Sequence, residues 1–103
     1  MSYRKAMPLA ELWDGEMQAC RIEGQPVLLL KLDGRVCAYA DRCAHQGVPL
    51  SEGELADGVL TCRAHHWQYD ASSGHGINPA AARLQVYPVR IEDGAILVEV
   101  DAT

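Results

Sequence analysis

The stretch Cys43-Ala44-His45-Gln46-Gly47, followed after a spacer by Cys62-Arg63-Ala64-His65-His66-Trp67-Gln68-Tyr69, organises this chain. The first segment offers a thiol and an imidazole separated by one residue. The second, beyond the sixteen residues 46–61, offers a thiol and an imidazole separated by two. The set is two sulfur and two nitrogen ligands. Zinc accepts it in a tetrahedral site. A two-iron, two-sulfide cluster accepts it as well, with both cysteines on one iron and both histidines on the other. In that case each segment reaches across both irons.

The Cys-x-His and Cys-x-x-His pairs at Cys43, His45, Cys62 and His65, at this separation, resemble the ligand pattern of the Rieske ferredoxins. The flanks Leu50-Ser51-Glu52-Gly53, Cys62-Arg63-Ala64-His65 and Gly74-His75-Gly76-Ile77-Asn78-Pro79 are similar to those of the ferredoxin component of toluene-type diiron monooxygenases. The resemblance covers nearly the whole chain, and the ligand segments are its specific part. It implies one Rieske-type [2Fe-2S] cluster held by Cys43, His45, Cys62 and His65, with the electron on the histidine-bound iron and the imidazoles at the surface as its exit. It implies the Rieske fold: an antiparallel β-sandwich base with a small cluster-binding lobe, about residues 42–68, formed by two ligand loops.

Size restricts what such a cluster can serve. The 103 residues make one domain, 1–103, with room for a modest core and none for a second cofactor unit. An oxygenase needs a further iron site and a reductase needs flavin and nicotinamide sites, so the expectation is an electron carrier and not an enzyme. The resemblance implies its partners: an NADH-dependent flavin reductase as donor, and the hydroxylase of a multicomponent aromatic diiron monooxygenase as acceptor. The alternatives are the ferredoxin of a ring-hydroxylating dioxygenase and, on ligand type alone, a structural zinc module for protein binding.

Nine basic against fourteen acidic residues give a formal charge of −5, and no basic run suggests nucleic acid or an anionic membrane. An acidic carrier suits partners with basic docking patches. Glu52, Glu54 and Asp57 read as a solvated face of the link between the ligand segments. The first eight residues carry no apolar signal core and no segment approaches membrane-spanning length, so a cytoplasmic location and a monomeric free carrier are expected. Cys20 and Cys37 sit in apolar stretches and read as small buried hydrophobes.

Along the chain, Tyr3 to Met7 reads as a strand and Pro8 to Trp13 as a helical turn closed by Asp14-Gly15, with Trp13 as a core anchor. Met17 to Ile22, Pro26 to Leu32 and Val36 to Ala40 form an antiparallel meander through Glu23-Gly24-Gln25 and Asp33-Gly34. The run Val27-Leu28-Leu29-Leu30 is too apolar for a strand with one wet face and belongs in the middle of the sheet. Val48 to Leu55 is an irregular link. Asp57-Gly58 turns into Val59-Leu60-Thr61, which delivers Cys62, and Gln68 to Asp70 returns. A turn-rich stretch, 71–79, precedes Leu84 to Ile91 and Ala95 to Val100 around Glu92-Asp93-Gly94. Gly74 and Gly76 make no dinucleotide loop, because Pro79 stands where the third glycine is required. The fold class is all-β.

Around the ligands, Gln46, Trp67 and Tyr69 are expected in the surrounding shell. Trp67 is expected to shield the cluster from water or pack on the base, with a place in the docking face or in electronic contact with the oxygenase as the alternative. It also replaces the serine found two positions after the last ligand in high-potential Rieske proteins, while Tyr69 keeps the tyrosine found four after. Val48 and Ala64 stand where those proteins carry a disulfide. A low potential is expected, nearer roughly −150 mV than +300 mV within the Rieske range. His66 departs from the glycine that commonly follows the ligand, and His75 satisfies a turn.

Overall fold

The computed structural model describes residues 3–43, 48–64 and 66–100. Eleven strands run in order among them: β1 (Arg4–Pro8), β2 (Met17–Ile22), β3 (Gln25–Leu32), β4 (Arg35–Ala40), β5 (Glu54–Ala56), β6 (Val59–Thr61), β7 (Gln68–Asp70), β8 (Gly76–Asn78), β9 (Val86–Tyr87), β10 (Val89–Glu92) and β11 (Ala95–Val98). They form three antiparallel sheets, ordered β1-β11-β10, β2-β3-β4-β9 and β5-β6-β7-β8. Two 3-10 turns, Leu9–Glu11 and Leu50–Glu52, complete the regular structure. Among the described residues no helix is long and apolar enough to cross a membrane.

The hairpins are set by four acidic-residue–glycine pairs. At Glu23-Gly24, Asp33-Gly34, Asp57-Gly58 and Asp93-Gly94 the first residue has φ of 51–52° and the glycine 75–81°. Two consecutive left-handed residues make the turn whose twist matches that of paired strands. Each pair therefore fixes a register, as in β2–β3, where Ile22 faces Gln25 and Met17 faces Leu30.

β3 is the centre of the molecule, flanked by β2 and β4, and all four of Val27 to Leu30 are fully buried. Strand side chains alternate between faces. Val27 and Leu29 join Leu12, Ile22, Ala38, Tyr87, Ile96 and Val98 in one core, whereas Leu28 and Leu30 join Tyr39, Leu60 and Tyr69 in the other. The second sheet is thus the middle layer: the first sheet covers one face as the sandwich base, and the third, with the lobe, covers the other. Double-sided burial explains the unbroken apolar run.

Several local expectations differ from the observed chain. Trp13 is 69% exposed and Leu12, at 1%, is the anchor. Extended backbone at Leu12 follows the 3-10 turn, so neighbouring side chains point opposite ways and only one reaches the core. Cys37 is buried, but Cys20 only half so, because β2 is an edge strand of its sheet. The link after Val48 contains the turn Leu50–Glu52 and strand β5, and the stretch 71–79 contains β8. Pro88, without an amide hydrogen, divides 84–91 into β9 and β10. His75 lies just past the turn 71–73, in an isolated antiparallel bridge to Arg83, its amide donating to Ser73 Oγ and its carbonyl accepting from the Asp70 amide.

Candidate metal centre

Two segments bring the cysteines together, and each is closed in the same way. β4 ends with the Ala40 amide on the Gln85 carbonyl and the Asp41 amide on that of Pro26 (3.0 and 3.1 Å), leading to Cys43. The Cys43 amide then donates to the Val48 carbonyl at 2.8 Å. β6 delivers Cys62, whose amide donates to the Trp67 carbonyl at 2.7 Å before β7 returns. Both loops therefore run from a cysteine to the carbonyl five residues on. His45 and Gln46 lie within one and His65 within the other, and all three are outside the described residues.

Cys43 and Cys62, 2% and 0% exposed, belong to the core between the middle sheet and the lobe. Their thiols are within hydrogen-bonding reach of one another, and the Ala64 amide donates to Cys62 sulfur. The phenolic oxygen of Tyr69, itself fully buried, is 3.4 Å from Cys43 Sγ. Burial is the largest influence on Cys62 and pushes its thiol above the ordinary range; the Ala64 hydrogen bond opposes this, and the neighbouring Cys43 adds to it. Two thiols paired this closely, with hydrogen-bond donors already aimed at sulfur, fit a site that takes both as thiolates on one metal ion. Iron ligation would displace their protons.

Trp67 is half-buried and packs against the core cluster that contains both sulfurs, on the lobe side of the middle sheet. His66 is exposed and has φ of 55°. The backbone keeps the left-handed conformation that a glycine would adopt, and histidine enters that region more readily than most side chains. Arg63 pairs with Glu52 at 2.7 Å on the surface, and together with Glu54, His66 and Gln68 they rim a shallow depression beside Cys62. Three residues not singled out for function also belong here. The Asp41 carboxylate, 7% exposed, accepts from Ser51 N at 2.8 Å and Ser51 Oγ at 2.7 Å, and Gly53 lies against Thr61. The Leu50-Ser51-Glu52-Gly53 motif was the available signal for Ser51 and Gly53, and no sequence feature marked Asp41.

A family profile described as the Rieske [2Fe-2S] domain matches residues 2–88. The ferredoxin component of the alkene monooxygenase system of Xanthobacter autotrophicus is 44% identical over 99 residues, covering 95% of this chain and 81% of that protein. The biphenyl dioxygenase ferredoxin subunit of a Pseudomonas species is 34% identical, covering 96% and 93%. Among solved structures, the ferredoxin of Sphingomonas yanoikuyae B1 superposes with a TM-score of 0.85 at 25% identity, covering 95% of this chain and 98% of that one.

Proposed function

The chain belongs to the family of Rieske [2Fe-2S] domains, and from that premise we propose that it carries single electrons from an NADH-dependent flavin reductase to the hydroxylase of a multicomponent diiron monooxygenase of the aromatic, toluene type. It is an electron-transfer ferredoxin component rather than a catalytic subunit, and it carries one Rieske-type cluster. Family membership favours that cluster over the zinc alternative. The ligands in this reading are Cys43, His45, Cys62 and His65, within a single domain, in the cytoplasm. The observation that carries it is the convergence of the Cys43 and Cys62 thiols from two loops of matching closure.

When bound, such a cluster accepts and returns one electron without making or breaking bonds in a substrate. The protein's part is to hold the ligands and set their surroundings. The core encloses both sulfurs and excludes water from them. The Ala64 amide donates to Cys62 sulfur, and Tyr69 supplies a hydroxyl that can donate to Cys43 sulfur once that thiol is deprotonated. These donors favour added negative charge at sulfur. The formal charge of −5 suits a basic docking face on each partner.

Electron paramagnetic resonance of the purified protein before and after dithionite, with an iron and sulfide assay, tests the reading. A signal that appears on reduction, with a low average g and two irons and two sulfides per chain, is expected; a colourless zinc protein overturns it. A redox titration should place the midpoint near the low end of the Rieske range, roughly −150 mV, since Trp67 stands in place of the serine donor. A midpoint well above zero contradicts that expectation.

The second reading, a ring-hydroxylating dioxygenase ferredoxin, is favoured by the 34% identity to the biphenyl dioxygenase subunit. The monooxygenase reading is preferred because the relative at 44% identity is a monooxygenase component. Reconstitution of this protein with each kind of oxygenase separates them: turnover should be supported for the diiron hydroxylase and not for a mononuclear-iron dioxygenase.

A further inference from the structure

The turn Leu50–Glu52 lies in the link between the two ligand loops, and both of its ends are tied to a loop stem. At one end Asp41, two residues before Cys43, places its carboxylate across Ser51, with Oδ1 accepting from the amide at 2.8 Å and Oδ2 from the hydroxyl at 2.7 Å. Asp41 is itself anchored, its own amide donating to the Pro26 carbonyl at the start of β3. At the other end the Gly53 amide closes the turn on the Leu50 carbonyl at 2.9 Å. A Cβ on Gly53 would collide with the backbone carbonyl oxygen of Thr61, the residue immediately before Cys62. Between these ends Leu50 is fully buried in the core that contains both cysteine sulfurs.

A carboxylate with both oxygens engaged by one residue holds that residue in position and orientation. A glycine required by close approach sets how near two backbones come. Here the two devices act on opposite ends of one short rigid turn, which spans from the stem of the first loop to the stem of the second. We infer that the Leu50–Gly53 segment is a strut that fixes the separation and orientation of Cys43 and Cys62, and that Asp41 is the positioning residue which seats it. The inference rests on the reading of those cysteines as ligands.

The test uses the loaded protein and measures the g values of its reduced state and its rate of iron loss to a chelator. Circular dichroism follows the fold. Wild-type protein lacking two irons or the reduced-state signal would count against the ligand reading, not against the strut. With wild type loaded, Asp41→Ala should shift the g values and speed iron loss about tenfold, the scale expected on losing hydrogen bonds to a charged group. Ser51→Ala, which keeps the amide donor and loses the hydroxyl, should shift them less, and Ser51→Thr should restore them. Folded Asp41→Ala and Ser51→Ala with unmoved g values overturn the inference, even if they melt at a lower temperature. Where Asp41→Ala does not fold, the Ser51 pair decides. A change in Ser51→Ala reversed in Ser51→Thr supports the strut; no change, or an equal change in both, overturns it.

Discussion

At Tyr69 a fully buried phenol lies 3.4 Å from Cys43 Sγ. A thiolate ligand has no proton to give, so in the loaded protein the phenol is the donor of this pair. Its hydrogen bond strengthens as negative charge accumulates at sulfur, and it therefore favours the reduced state. A difference of about 1 kcal/mol between the two states corresponds to about 40 mV for one electron. Tyr69→Phe should lower the midpoint by that order in a redox titration, with the fold retained; a midpoint that stays or rises contradicts the role. The sequence shows a departure from the family's glycine, and φ of 55° places His66 in the left-handed region that a glycine enters freely, with its side chain exposed.

At the scale of elements, the acidic-residue–glycine turns are the parts read most directly from sequence, because their left-handed dihedrals are a local demand that few residues meet. The pair Asp57-Gly58 connects β5 to β6, and β6 ends at Thr61, one residue before Cys62. Gly58 has φ of 76° and open space around its α-carbon, so an added methyl would meet backbone strain and no collision. Gly58→Ala should cost about 1–2 kcal/mol in urea denaturation while leaving the spectrum of the folded, reduced protein unchanged. A spectral change without loss of stability would mean that the turn acts on the ligand loop by another route. The short strands β5 and β8 escaped the same reading. Each carries a single large apolar side chain, Leu55 or Ile77, among turn-forming neighbours, and each is paired by a neighbouring strand that offers it a ladder.

Across the whole molecule the middle sheet separates two cores with different duties. Ile96 lies in the core between base and middle sheet, and Leu60 in the core that contains the cysteine sulfurs; both are fully buried. Ile96→Ala and Leu60→Ala should each destabilise the fold by about 2–5 kcal/mol, measured by denaturant unfolding, but only Leu60→Ala should also move the g values of the reduced protein. Equal spectral shifts in both would show that the middle sheet does not insulate one core from the other. The all-β class, the central place of Val27 to Leu30, the turn positions and the family of the site were legible from residue types and their spacing along the chain. The stacking of the sheets is what brings Leu12 and not Trp13 into the core and carries Asp41 to Ser51. Alternation along a strand or turn says that neighbours face opposite ways, but which of them faces inward, and which distant residue it then meets, depends on how the three sheets stack.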